Sequence, residues 1–133
     1  MNSKKDSTII GQIGEHLVIL DLLNKGIRTL HASEGLPFDL AAYVSGTKLI
    51  KIQVKTNTSS HPPYRFRMYA SSNRAYTHEV DIFALVSLVL HKIAYIRNDG
   101  TRNNINLYEW DNHCGNISTQ YFENFLFEDS IGE

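Results

Sequence analysis

The chain has 133 residues, 42% of them hydrophobic and 20% charged, and a formal net charge of −1 at pH 7. That length supports one domain with a real core and excludes two, so residues 1–133 are expected to form a single domain. The balance excludes a strongly basic nucleic-acid coat and a membrane span, since no apolar run approaches the roughly 18 residues such a span needs, and the lone Cys114 excludes an internal disulfide or a cysteine zinc cluster.

The basic start Met1-Asn2-Ser3-Lys4-Lys5 leads into an amphipathic helix without a cleavage-site pattern, so no signal peptide is expected. A reducing, cytoplasmic location follows as the expectation. The spacing predicts a helix from about Thr8 to Lys25, capped by Asp6 or Ser7 and stopped by Gly26. Ile9, Ile13, Leu17, Leu20 and Leu23 or Asn24 make one core stripe, widened by Val18 and Leu22. Glu15 stands in line with Gly11, Val18 and Leu22. A carboxylate on such an apolar line is costly unless something positive meets it.

Residues 27–32 read as a short strand, and 33–37 as a turn or loop. Phe38 to Val44 and Lys48 to Thr56 read as two strands of a hairpin around Ser45-Gly46-Thr47. Strand alternation puts Ile50, Ile52 and Val54 on one face and Lys51, Gln53 and Lys55 on the other. With a three-residue turn, Val44 pairs with Lys48 and Asp39 with Gln53, and Lys55 lies one pleat further on. A two-residue turn would break that alignment.

Beyond the hairpin, 57–63 is a polar loop closed by two prolines, Tyr64 to Tyr69 a strand, and 70–79 irregular. Val80 to Leu90 reads as a buried strand paired with Lys92 to Asn98, and Ile105 to Trp110 as a further strand. Ser118 can cap a last helix over Thr119 to Phe127. Tyr121, Phe122 and Phe125 fit a core or subunit contact better than a base-stacking platform. The sum is an α/β fold, a mixed β-sheet flanked by helices.

Charge is unevenly spread. Residues 48–102 hold nine Lys and Arg against three Asp and Glu, whereas 103–133 hold six acids and no Lys or Arg. Lys51, Arg65, Arg67 and Arg74 are candidate phosphate contacts, and the acids from Glu109 to Glu133 are expected to stay off the nucleic acid. His31, His61, His78 and His113 show no ligand-like spacing and read as surface or loop residues.

Glu15, Asp39, Gln53 and Lys55 carry the chemistry. Singly, each is an ordinary turn or surface residue. Together they supply an acid on a helix, an acid on a strand, and an amide plus an ammonium on the next strand. Hydrolysis of a phosphodiester needs an activated water, relief of phosphoryl charge and help for the leaving oxygen, and a divalent metal can supply all three. Magnesium takes hard oxygen ligands and keeps several waters. Asp39 is the best direct ligand, joined by the Val54 carbonyl, the Gln53 amide oxygen, and Glu15 directly or through water. Lys55 would orient the attacking water and stabilise developing negative charge.

This order of Glu15 on the first helix, Pro37-Phe38-Asp39 and Ile52-Gln53-Val54-Lys55-Thr56 resembles the PD-(D/E)XK nucleases. The departure is Gln53, where Glu is commoner. Mrr-like enzymes and a small bacterial group I intron homing endonuclease branch are similar in having Gln-X-Lys there. The homing branch also resembles this chain in Gly11-Gln12-Ile13-Gly14-Glu15, Phe38-Asp39, the stretch 71–76 and Asp81-Ile82-Phe83-Ala84. Archaeal Holliday junction resolvases are similar at a greater distance. The likeness covers about residues 8–90. It implies a restriction-endonuclease-like core, Mg2+ with Mn2+ as substitute, double-stranded DNA as substrate, and a homodimer or homotetramer with no membrane partner. It implies homing-type endonuclease activity. The rival expectations are a junction resolvase, or a DNA-binding protein on this fold whose Gln53 marks lost catalysis.

Overall fold

The computed structural model describes residues 6–46, 48–68, 79–100, 104–110 and 120–131. Helix α1 spans Ser7–Asn24, its first turn closed by the Asp6 carboxylate, which accepts from the Ile9 N–H at 3.0 Å. It ends where Gly26 takes a left-handed φ of +82°, a conformation glycine adopts at no steric cost.

Five strands form the main sheet: β1 (Arg28–His31), β2 (Leu40–Ser45), β3 (Lys48–Asn57), β5 (Ile82–Ser87) and β6 (Lys92–Arg97), in spatial order β1-β2-β3-β5-β6. Pairing is antiparallel except between β3 and β5, which run parallel. The connection between those two carries β4 (Tyr64–Arg67), which pairs with β7 (Asn104–Tyr108) in a second sheet completed by β8 (Gln120–Tyr121). A 3-10 turn (Phe122–Asn124) and a short helix α2 (Phe127–Ser130) close the described chain.

The main sheet is covered on both faces. One face packs Leu40, Ala42, Ile50, Ile52, Val54, Ile82, Ala84 and Val86 against Val18 and Leu22 of α1 and Phe127 of α2. The other packs Phe83, Leu85 and Ala94 against Tyr64, Phe66, Leu107 and Phe122 of the second sheet and its turn. Burial on both faces explains why all six residues of β5 are buried and why the first five read as an unbroken apolar run. The β1–β2 end of the second face stays open, with Leu30, Tyr43 and Leu49 exposed.

Two expectations need correction. The inward line of α1 is Gly14, Val18 and Leu22, while Ile9, Leu20 and Leu23 are 46%, 56% and 51% exposed. Leu17 of the expected stripe does pack against the core, but the fully buried side chains are Val18 and Leu22, which were expected only to widen it. The last helix is not found over the described part of 119–127: Tyr121 is in a strand and Phe122 in a 3-10 turn, both buried. Tertiary packing in the second sheet overrides the local helical spacing. Two acids of the C-terminal part are met by a cation of the main sheet. Lys92 pairs with Glu109 at 3.6 Å and with Glu123. Burial alone would raise the Glu123 carboxyl, but bonds from Lys92 and the Trp110 N–H outweigh it and hold it low. No helix among the described residues is long and apolar enough to cross a membrane.

Candidate active site at the open edge of β3

The β2–β3 register pairs Leu40 with Ile52, Ala41 with Lys51 and Tyr43 with Leu49, so the next pair in line is Asp39 with Gln53. That is the expected alignment, reached by a different route. Ser45 pairs with Lys48, which leaves a two-residue connection, and a bulge between Tyr43 and Ser45 supplies the extra residue that restores the register. The ladder ends at Leu40.

Because β3 is ten residues long and β2 six, β3 overhangs its neighbour. From Gln53 to Asn57, β3 pairs with β5 on one side, and no described strand pairs with the other. Asp39 sits at the start of that overhang. Its backbone is clamped between β1 and β3: the Ala32 N–H donates to its carbonyl at 3.0 Å, and its own N–H donates to the Ile52 carbonyl at 2.9 Å. Its Oδ2 accepts from the Val54 N–H at 2.9 Å. The carboxylate thus replaces the missing strand partner. A residue's N–H and C=O leave a strand on the same side, so the Val54 carbonyl opens onto the same edge.

Lys55 lies one pleat beyond Gln53, on the face opposite the buried Ile52 and Val54. Its ammonium is close enough to Asp39 for the two charges to act on each other. Burial pushes the Lys55 ammonium below its ordinary value, the Asp39 charge opposes that, and Arg67 of β4 adds to the depression. Burial raises the Asp39 carboxyl, against the Val54 hydrogen bond and the Lys55 charge. Glu15 reaches the same place from α1. Its carboxyl is raised by burial and then by repulsion from Asp39, with His31 and His16 pulling it back. Glu15, Asp39 and Lys55 therefore share one electrostatic neighbourhood, while Gln53 joins by register, half-buried beside them.

His31 was not legible as a neighbour of this group. It closes β1, its Nδ1 is 4.0 Å from the Glu15 Oε1, and its ring lies 5.8 Å from that of His16. Only the packing of α1 beside β1 creates that contact. Among the other candidates, Arg65 and Arg67 are exposed on β4, with the Arg65 Nε donating to Asn106 at 3.2 Å. Lys51 is half-buried, its backbone N–H donating to Asp81 at 2.9 Å. Arg74, His78, His113, Cys114 and the stretch 71–76 lie outside the described residues.

No three His, Cys, Asp or Glu side chains converge as a metal cluster among the described residues. Two partly buried carboxylates that repel each other, with a backbone carbonyl and an amide nearby, suit a hard cation that keeps much of its water. They do not make a zinc-type cage.

A solved structure of a bacterial homing endonuclease, I-Ssp6803I, is similar to this chain with a TM-score of 0.70 at 21% sequence identity, covering 84% of each chain. At that identity the likeness carries the fold, which is restriction-endonuclease-like. No curated protein matches the chain. The sequence model of the PD-(D/E)XK endonucleases matches residues 1–128, almost the whole chain, and the protein therefore belongs to the PD-(D/E)XK endonuclease family.

Proposed function

We propose that this chain is a magnesium-dependent endonuclease of homing type that hydrolyses phosphodiester bonds in double-stranded DNA, with manganese as a substitute ion. The observation that carries this reading is the open edge of β3, where Asp39 is locked onto the Val54 N–H with Glu15 and Lys55 in electrostatic reach. Enzymes of this family generally use divalent metal ions. Here Asp39, the Val54 carbonyl, the Gln53 amide oxygen and Glu15 would hold the cation. Once bound, it would relieve charge on the phosphoryl oxygens and acidify a water.

The protein's own groups do the rest. The Val54 N–H fixes one Asp39 oxygen, and the other would be left for the cation. Lys55, partly buried and positively charged, steadies the attacking water and meets negative charge as it builds on the phosphate. Its strand is hydrogen-bonded to β5 residue for residue through Lys55 and Leu85, so the ammonium is held on a rigid element. Lys51, Arg65, Arg67 and Arg74 would contact DNA phosphates. The described residues of one chain form one such site, so cutting both strands of a duplex calls for a homodimer or homotetramer.

The test is cleavage of linear duplex and four-way-junction DNA with magnesium or with chelator. Magnesium-dependent cutting of linear duplex is the expected result. Preference for the junction would move the assignment to a resolvase. Binding without cleavage of either substrate would make the chain a DNA-binding protein.

A further inference from the structure

We infer that the contact between Gly14 of α1 and Thr56 of β3 positions the Glu15 carboxylate against Asp39 and Lys55, an assignment that rests on the proposed nuclease site. Glycine inside a helix is unfavourable on propensity alone. Gly14 is not among the residues of positive φ, so its backbone does not call for glycine. Space does. A Cβ at Gly14 would stand 2.1 Å from the Thr56 Oγ1, 3.2 Å from its Cβ and 3.3 Å from its Cγ2. Gly11, one turn earlier, has nothing within 4 Å of the same position.

The partner is equally unusual. The Thr56 hydroxyl is buried and has no hydrogen-bond partner among the described residues, whereas buried hydroxyls are normally paired. The hydroxyl is thus packed against the helix backbone without a bond to show for it. Gly14 precedes Glu15, and Thr56 follows Lys55. One contact therefore sets the distance between the two elements that bring these side chains together. The next inward residues, Val18 and Leu22, are fully buried and hold the rest of the helix down. An extra atom at Gly14 forces the contact to give, and a helix that gives here carries the Glu15 end of α1 away from β3. Ligand distances in metal sites tolerate only about 0.2 Å, and a displacement near 1 Å can cost about a hundredfold in rate.

The experiment compares the parent, Gly14→Ala, and Gly14→Ala combined with Thr56→Ala, each as the full chain. Readouts are the magnesium concentration at the midpoint of thermal stabilisation, kcat and KM for duplex DNA, and crystal structures without metal. Gly14→Ala is expected to raise the magnesium midpoint about tenfold and lower kcat about a hundredfold, with KM little changed. The double variant is expected to return both most of the way, because the clashing hydroxyl is gone. Parent-like values in Gly14→Ala, or a double variant no better than the single, would overturn the inference. If Gly14→Ala does not fold, recovery of folding and of the magnesium response in the double variant supports it, and no recovery overturns it. If the parent neither responds to magnesium nor cuts DNA, the nuclease reading fails. The crystal structures then decide the positioning claim by themselves: the Glu15 end of α1 must move off β3 in the single variant and return in the double.

Discussion

Strands β3 and β5 lie side by side in parallel register, yet they are built for different purposes. Every residue of β5 is buried, and the strand has a neighbour on each side. Among the described residues, the far half of β3 is paired with a strand on one side only, and Gln53, Lys55, Thr56 and Asn57 are half-buried there. Apolar burial in β5 stabilises the fold without exposing a reactive group. At the β3 overhang, charged groups are partly buried, and that burial comes first among the causes that displace the protonation equilibria of Glu15, Asp39 and Lys55. On the proposed reading, stability and chemistry are carried by adjacent strands, and substitutions can separate them.

The largest effect should come from the β5 side. Phe83 is fully buried, in the core between the two sheets. Phe83→Ala is expected to cost about 3–5 kcal/mol by denaturant unfolding. A loss below about 1 kcal/mol would mean that β5 is not the stability centre.

At the overhang the sign should reverse. The folded-state pKa of Asp39 is raised above its ordinary 3.8, so the fold favours the protonated form. The contribution of Asp39 to metal-free stability should then be fully present below that value and be lost as pH rises through the raised one. Asp39→Asn removes this part of the decline. At neutral pH the metal-free variant should melt above the parent. Magnesium should stabilise the parent and leave the variant nearly unaffected, by linkage. Equal magnesium responses in thermal melts would remove Asp39 from the metal site.

A smaller effect concerns the approach of DNA. Replacing Arg65 and Arg67 together by Ala should reduce the salt dependence of binding by about 0.9 in log–log slope for each phosphate that is no longer neutralised. Replacing Glu128 and Asp129 should leave the slope as it is. The smallest effect is expected at Gly11, which meets nothing a methyl group would strike. Gly11→Ala should stabilise α1 by about 0.5–1 kcal/mol, read from the chemical denaturation midpoint; destabilisation would contradict the contrast with Gly14.

Much of this arrangement was legible in the sequence because it is local. The cap at Asp6, the stop at Gly26 and the alternation of Ile50, Ile52 and Val54 each follow from short-range chemistry. The alignment of Asp39 with Gln53 was read correctly although the turn was not, since the bulge near Val44 offsets the shorter connection and leaves no mark on residue periodicity. What escaped depends on contacts between distant segments. The inward face of α1 and the neighbourhood of His31 and Glu15 are set by helix–strand packing, and the bond from Val54 to Asp39 by the early end of β2. The buried aromatics Tyr121 and Phe122 imitate a helix in spacing while serving the core beside the second sheet.

The central claim is that the β3 overhang is a working phosphodiesterase site. Single-turnover cleavage of duplex DNA by the parent and by Lys55→Ala, both with saturating magnesium and with DNA affinity measured alongside, tests it most directly. The account predicts cleavage by the parent, a rate about 10²–10³-fold lower in the variant, the scale of losing one electrostatic stabiliser of the transition state, and affinity nearly unchanged. Equal cleavage rates, or a loss explained wholly by weaker DNA binding, would contradict it.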